Sequence, residues 1–238
     1  MPPTPPQAES HHPPAQLLLA IDTCGPAGSV ALARLDDGKL QIVGQIELEG
    51  RSYSSTLVAA VADLLSQSHL DLSHLAAIVA VNGPGSFTGV RVGLSAVKGL
   101  AEPAQIPLVS VSRLEVLANL AQTPSAAIDA HRHEIFLRLG TPVKELLAGT
   151  SEISALAGLT PGSPRIAVCD EAAAQLLKAA WPLAELVITP PPTAADALHL
   201  CAPRVSAKQF IDLALLDAHY LRRSDAEIFG DPATPRRA

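Results

Sequence analysis

Residues 82–99 read N-G-P-G-S-F-T-G-V-R-V-G-L-S-A-V-K-G and follow the apolar run 78–81, which is typical of a buried strand. The first eight residues of this stretch combine three glycines with two hydroxyl residues that can cap a following helix: Gly83, Gly85, Gly89, Ser86 and Thr88. A strand that continues through a glycine-rich turn into a helix N-terminus is suited to binding a phosphate or a carboxylate. The stretch therefore predicts a strand–loop–helix unit with a candidate anion site.

The predicted helix has a face with almost no side chains. Gly89, Gly93, Ala96 and Gly99 recur at steps of three or four, so they share one side of the helix, here called the small-residue face. Each glycine costs about 1 kcal/mol relative to alanine in a helix interior. Such a helix needs another backbone packed closely against it. Two alternatives follow: the face packs on the chain's own sheet, which packing physics favours, or it contacts a partner protein.

Composition narrows the class of protein. The chain has 238 residues, of which 48% are hydrophobic, so it can bury a core as one large domain or two lobes. A net charge of −6 without a dense basic run argues against autonomous nucleic-acid binding. Cys24, Cys169 and Cys201 show no C-x-x-C spacing, which fits a reducing cytoplasm. No apolar run reaches the roughly 20 residues of a membrane span, and residues 1–16 resemble a disordered proline-rich leader.

The order of predicted elements suggests two related α/β lobes. Strands at 17–21, 29–33 and 40–48 form an antiparallel meander, and a helix from Ser52 or Ser54 follows. A strand at 75–81, the glycine-rich loop and its helix, a strand at 106–111 and a helix at 113–121 complete the first half. The second half has the following predicted segments: strands at 126–130, 134–139 and 165–169, a helix at 171–180, an apolar segment at 194–200 and a last segment at 210–221.

Four blocks of sequence carry a family resemblance. They are L-A-I-D-T-C-G-P-A-G-S-V-A-L at 19–32, G-P-G-S-F-T-G-V-R-V-G at 83–93, A-I-D-A-H-R-H-E-I-F at 127–136 and Y-L-R-R-S-D-A-E at 220–227. Together they resemble the TsaB (YeaZ) family. The resemblance implies a two-lobed actin-like, sugar-kinase or Hsp70-type ATPase fold, in which each lobe is an RNase H-like mixed sheet flanked by helices. The expected divisions are a leader at 1–16, lobes at 17–122 and 123–210, a segment at 211–228 that returns towards the first lobe, and a flexible tail at 229–238.

The resemblance also implies a function. The family's members are partner subunits of TsaD, the enzyme that forms N6-threonylcarbamoyladenosine in tRNAs reading ANN codons, and a TsaE ATPase joins them. They form homodimers alone, or heterodimers with TsaD, through helices packed on the first lobe, so tRNA is expected to be reached through the complex. The first lobe is therefore expected to carry the dimer helices, with an interface at Leu57, Val61, Gly89, Arg91, Gly93, Ala96 and Val97.

Two patterns bear on catalysis. The family's catalytic paralogue carries H-x-x-x-H after the strand that follows the glycine-rich helix, and Arg113 and Leu117 stand at those positions here. Neither side chain ligates iron or zinc at neutral pH, so no metal site and no catalytic residue are predicted. Asp129, His131 and His133 offer a second pattern. On an extended chain the three side chains would point to the same side of the strand, as a small metal site requires. The alternative is a hairpin turn whose polar side chains face water.

A nucleotide cleft is the last candidate. Asp22 and Thr23 match in type the phosphate-facing hairpin of actin-like ATPases, and Gly83, Gly85 and Ser86 lie in the loop described above. These residues predict at most weak ATP or ADP binding and no intrinsic cofactor, with Mg²⁺ entering alongside ATP in the complex. The competing functions are a weak nucleotide hydrolase, a glycoprotease-like metalloenzyme of the same fold, and a general interaction module.

Overall fold

The computed structural model describes residues 15–49, 52–140 and 142–222. Most of the predicted leader and all of the predicted tail lie outside this part of the chain. The regular elements, in chain order, are β1 (Gln16–Asp22), β2 (Ala27–Asp36), β3 (Lys39–Glu49), α1 (Tyr53–Gln67), β4 (Leu75–Val81), α2 (Phe87–Ala104), β5 (Leu108–Val111), α3 (Arg113–Leu120), β6 (Ser125–Asp129), β7 (Glu134–Leu139), β8 (Lys144–Gly149), α4 (Thr150–Leu159), β9 (Arg165–Val168), α5 (Glu171–Ala180), β10 (Glu185–Ile188) and α6 (Ala194–Ser206).

The first lobe is built on a five-stranded mixed sheet in the order β3-β2-β1-β4-β5. The chain forms β1, β2 and β3 as the predicted antiparallel meander, with Ala20 opposite Ala31, and β4 then pairs parallel to β1. Because β1 lies in the middle of the sheet, its apolar run is buried from Leu17 to Asp22. Asp22 and Thr23 therefore emerge at the carboxyl edge of a fully buried strand.

The second lobe repeats this arrangement. Its sheet has the order β10-β9-β6-β7-β8, so an antiparallel meander of β6, β7 and β8 is again extended by two parallel strands, β9 and β10. A separate core beneath this sheet includes Ile135, Leu137 and Trp181. Two mixed sheets of equivalent strand order, each flanked by helices, form the predicted two-lobed actin-like α/β fold.

The boundary between the lobes differs from the expected one at residue 210. α6 packs across all five strands of the first sheet, and Leu198, Cys201 and Val205 lie in the core of the first lobe. The backbone N–H of Ala194 donates to the Ser29 hydroxyl on β2 at 2.8 Å. The chain thus returns to the first lobe at α6, because the apolar side of this helix completes the first core rather than the second.

The predicted interface residues require a correction. Leu57, Val61 and Val97 are 1–2% exposed and lie in the core of the first lobe, so they cannot contact a partner. Gly89 and Gly93 are also buried, and these two residues of the small-residue face pack against Thr23 at the end of β1, whereas Gly99 is exposed. These two glycines therefore pack on the chain's own sheet, and the predicted interface was wrong for all five residues. Arg91 is exposed and Ala96 is half-buried.

Candidate functional site

A cleft of about 890 Å³ lies between the two lobes. The turn between β1 and β2 and the G-P-G-S-F loop form its wall on the first lobe. The turn between β6 and β7 and the segment from His219 to Arg222 form much of the remaining wall. This interlobe cleft corresponds to the position where the sequence predicted a nucleotide site.

A buried ion pair lies at this cleft. The Arg113 Nε donates to Asp22 Oδ2 at 3.2 Å, and Asp22 Oδ1 accepts the backbone N–H of Cys24 at 2.8 Å. The two side chains are 4% and 2% exposed. Burial opposes the charge on Arg113, but the nearby Asp22 carboxylate raises the pKa of the guanidinium above its ordinary value. Arg113 therefore stays charged, and Asp22 is held by two donors from its own chain.

The predicted nucleotide-binding residues lie close together in the structure, but several of their polar groups form hydrogen bonds within the protein. The Thr23 hydroxyl donates to the Gly89 carbonyl at 2.7 Å. The Ser86 N–H donates to the Cys24 carbonyl at 2.8 Å, while its hydroxyl accepts the Gly89 N–H at the start of α2. The Gly83 carbonyl accepts the Arg113 N–H at 2.6 Å. These contacts orient the predicted residues towards protein, and nucleotide binding by them stays a prediction.

The glycine at position 85 has a steric role. A Cβ there would lie 2.1 Å from the Cys24 carbonyl oxygen, far inside van der Waals contact. Only a residue without a side chain allows the loop to pass this close to the β1–β2 turn. The G-P-G-S-F loop is thus shaped by packing against the first strand pair.

Arg113 and Leu117, which stand at the two histidine positions of the H-x-x-x-H pattern, lie in different environments. Arg113 begins α3 and reaches Asp22, whereas Leu117, one turn later, is fully buried in a small core shared by α3 and the second sheet. Within residues 15–49, 52–140 and 142–222, no group of three or more His, Cys, Asp or Glu side chains is arranged to hold a metal ion.

The segment with Asp129, His131 and His133 forms a hairpin turn between β6 and β7. His131, Arg132 and His133 all have left-handed backbones, with φ of 61°, 57° and 62°. Asp129 accepts the backbone N–H of His131 at 2.9 Å, and its other carboxylate oxygen lies 2.7 Å from His131 Nδ1. The turn breaks the alternation of an extended strand, so the hairpin alternative describes this segment.

Residues 217–222, which we call the strap, connect the two lobes and were not predicted as part of the site. In the first lobe, the His219 N–H donates to the Asn82 carbonyl at 2.8 Å, and the Arg91 Nε donates to the Tyr220 hydroxyl at 2.7 Å. In the second lobe, His219 Nε2 lies 2.8 Å from Glu145 Oε2, and Arg222 pairs with Glu134. The Y-L-R block at 220–222 marked this segment in the sequence, without indicating that it spans the cleft.

No helix in the described part of the chain is long and apolar enough to cross a membrane.

Comparison with known proteins identifies relatives of this chain. The family model described as TsaD: tRNA N6-adenosine threonylcarbamoyltransferase matches residues 46–180. The tRNA threonylcarbamoyladenosine biosynthesis protein TsaB of Escherichia coli (strain K12) is 38% identical over 125 residues, which cover 50% of this chain and 52% of that protein. TsaB of Bacillus subtilis (strain 168) is 33% identical over 126 residues, which cover 51% of this chain and 54% of that protein. The chain thus spans about half the length of the curated relatives it matches.

A solved structure extends the similarity over most of the chain. YeaZ from Pseudomonas aeruginosa superimposes with a TM-score of 0.69 at 26% sequence identity, covering 87% of this chain and 100% of the other. The matched family model spans more than half of the 238 residues. The chain therefore belongs to the family described as TsaD: tRNA N6-adenosine threonylcarbamoyltransferase, within its TsaB (YeaZ) group.

Proposed function

We propose that this protein takes part in forming N6-threonylcarbamoyladenosine in tRNAs that read ANN codons, as a non-catalytic cytoplasmic subunit. It would bind and activate a TsaD-like transferase, with a TsaE-like ATPase joining the complex and tRNA reached through it. The names of its TsaB relatives support the pathway. The observation that carries the non-catalytic role is the buried ion pair of Arg113 with Asp22.

The ion pair argues against catalysis because it occupies the groups that chemistry in this cleft would use. In an actin-like ATPase, the strand-end carboxylate acts through Mg²⁺ or a water molecule. Here Asp22 is 2% exposed and its two oxygens accept from Arg113 and from the Cys24 N–H. Arg113 and Leu117 also replace the two histidines of the catalytic pattern. We expect the isolated protein to form no threonylcarbamoyl product.

The exposed sides of α1 and α2 are the surface we propose for the TsaD-like partner and for self-association. The two helices contact each other on the first lobe. Their outward sides carry a group of small or apolar residues, namely Val58, Ala59 and Ala62 on α1 and Ser95, Ala96 and Gly99 on α2, beside the exposed charged residues Asp63, Arg91 and Glu102. Small residues allow a partner helix to approach closely, and the apolar part of the surface has a low desolvation cost. This surface replaces the buried residues of the predicted interface.

A pair of matched variants tests the partner surface. Val58 is 59% exposed on α1, and Leu159 is 80% exposed on α4 of the second lobe. Val58→Glu should abolish co-purification with the TsaD-like subunit from the same cell, because it places a charge in the proposed interface. Leu159→Glu, the same kind of change on the other lobe, should leave the complex intact. Equal binding by both variants would refute the surface.

Activity in cells and with purified components tests the function itself. Cells that lack the gene should lose the modified nucleoside, measured by mass spectrometry of digested tRNA, and the wild-type gene should restore it. Val58→Glu should fail to restore it. Supplied with threonylcarbamoyl-adenylate and tRNA, the protein alone should form no product, and product should appear when the TsaD-like subunit is added. Product from the protein alone would contradict the non-catalytic role.

A further inference from the structure

A second, smaller pocket lies at the junction of the two lobes and has a volume of about 330 Å³. Asn82, which follows β4, lines it on the first lobe, and Arg138 on β7 and Glu145 on β8 line it on the second. The pocket shares His219 of the strap with the interlobe cleft and is otherwise lined by different described residues. It is therefore a separate pocket, with walls from both lobes and from the strap.

Two buried polar atoms of the pocket residues lack a hydrogen-bond partner among the residues that the structure describes. They are the side-chain oxygen of Asn82, Oδ1, and the Nε of Arg138. The Asn82 Nδ2 donates to the Asp217 carbonyl at 3.3 Å, which orients the amide with its oxygen away from that carbonyl. Arg138 Nη1 donates to Glu145 at 2.6 Å, whereas its Nε has no such acceptor. Buried polar atoms are costly without partners, so an unused acceptor and an unused donor at one pocket favour a ligand that supplies both partners.

The charges at this pocket are balanced, so a neutral group fits it better than an ion. Arg138 pairs with Glu145, and their side chains are 15% and 8% exposed. Glu115 also lines the pocket and pairs with Arg204. An added anion would lie beside these two carboxylates, and an added cation would lie beside the Arg138 guanidinium, which opposes either charge.

From this arrangement we infer that the pocket binds a neutral amide group, either a primary carboxamide or a peptide bond, with the amide oxygen on Arg138 Nε and the amide N–H on Asn82 Oδ1. This inference goes beyond the proposed function and does not depend on it. An amide carries one carbonyl acceptor and at least one N–H donor without a net charge, which complements the two unused atoms. The pocket volume is at the lower end of the range of about 300–1,000 Å³ that is typical of small-molecule sites. The ligand, or the part of it that enters the pocket, is therefore small.

Access to the two atoms requires a small rearrangement, because both are buried from solvent. Val143 lines the pocket and is 62% exposed, so its side chain has room to rotate. An ordered water molecule is the competing occupant, since water can donate to Asn82 and accept from Arg138. Val111 and Val143 add apolar surface to the lining, which favours a ligand with carbon substituents over water.

The side-chain NMR signals of the two residues test the pocket directly. Acetamide, acetone and acetate have nearly the same size, but acetone lacks the N–H donor, and acetate lacks it and carries a charge. Each is titrated into the isotope-labelled full chain while the Asn82 side-chain amide and Arg138 Nε–H signals are followed. We expect acetamide to shift both signals to saturation and to bind about fivefold more tightly than acetone or acetate, since one hydrogen bond contributes about that much.

Equal affinities of the three probes, or no saturating shift of these two signals, would overturn the inference and leave water as the occupant. N-Methylacetamide, which mimics a peptide bond, distinguishes the two sources of the amide. Tighter binding of N-methylacetamide than of acetamide would assign the site to a peptide bond, and the reverse order would assign it to a primary carboxamide.

Matched variants then assign the donor. Arg138→Lys keeps a cation beside Glu145 but removes the Nε donor, so it should weaken acetamide binding about fivefold or more. Arg165→Lys makes the same change in the exposed pair with Glu185 and should change the affinity less than about twofold, because distant sites act independently. Wild-type affinity in Arg138→Lys would show that Nε is not the donor. The titration of the wild-type chain decides the inference even where Arg138→Lys fails to fold.

Discussion

Thr23 lies directly against Gly93, so closely that a Cβ on Gly93 would be 2.2 Å from the Thr23 hydroxyl oxygen. One turn earlier, a Cβ on Gly89 would be 2.1 Å from the Thr23 carbonyl oxygen. The same hydroxyl donates to the Gly89 carbonyl. The end of β1 is thus packed into the small-residue face of α2, and the two glycines allow a helix and a strand end to approach at backbone distance.

The first prediction follows from the unequal surroundings of the glycines in α2. Gly89→Ala places a methyl group against a backbone oxygen that has little freedom to move, and we expect it to lower the free energy of unfolding by about 1–3 kcal/mol. A Cβ on Gly99 would have no atom within 4 Å, so Gly99→Ala should raise the free energy of unfolding by about 0.5–1 kcal/mol through helix propensity. Urea denaturation followed by circular dichroism measures both.

Opposite signs for the two alanine variants are the result that supports this packing. Because both changes replace glycine by alanine in the same helix, propensity alone predicts the same stabilisation for each. Equal stabilisation would mean that the end of β1 does not pack on α2 as the structure has it.

Local sequence signals predicted much of the fold. The helix expected at 171–180 is α5, because Asp170 caps it and its apolar residues recur on one face. The antiparallel meander of the first lobe also follows from short apolar runs separated by turn residues. β8, α4 and β10 were not predicted. The sequence of β8, K-E-L-L-A-G, has no β-branched residue and no regular alternation, so nothing local distinguishes it from a helix or a loop.

Long-range contacts account for what sequence reasoning missed in the site. Asp22 and Arg113 are 91 residues apart in the sequence. Their side chains pair because the end of β1 and the start of α3 lie at the same edge of the first sheet, and the local sequence around either residue does not indicate this contact. The apolar face of α1, which includes Leu57, Val61 and Leu64, and the small-residue face of α2 have the same sequence pattern whether they pack on the chain's own sheet or on a partner. A periodic pattern indicates that one face of a helix is covered, but it does not indicate whether the chain itself or a partner protein covers it.

The second prediction concerns the free energy of the ion pair. Arg113→Met leaves the Asp22 carboxylate buried without its cation, and we expect a loss of about 3–5 kcal/mol in the free energy of unfolding. The double variant Asp22→Asn/Arg113→Met should recover most of that loss. In the double variant no charge is left without its partner, and the asparagine oxygen can still accept the Cys24 N–H.

Urea denaturation of the wild type, both single variants and the double variant completes a double-mutant cycle. The coupling energy should be large because both side chains are almost completely buried. The surface pair of Arg165 with Glu185 is the control, since its side chains are 51% and 60% exposed and its coupling should not exceed about 1 kcal/mol. Equal coupling in the two cycles would show that Arg113 and Asp22 are solvated rather than buried.

The third prediction is a pH dependence at the strap. Glu145 accepts from Arg138 at 2.6 Å and from Ser112 at 2.7 Å, and it lies 2.8 Å from His219 Nε2. Burial raises the pKa of Glu145, but the hydrogen bonds from His219, Ser112 and Arg138 outweigh it and hold the pKa below 4.5, its ordinary value. The folded protein therefore binds this proton less readily than the unfolded chain. The stabilisation from Glu145 is complete above pH 4.5 and is lost as the pH falls below that value towards the folded-state pKa.

Urea denaturation midpoints measured between pH 6 and about 3.5 test this dependence. The midpoint should fall more steeply with decreasing pH for the wild type than for Glu145→Gln, which cannot titrate at this position. Parallel slopes for the two proteins would contradict the assignment.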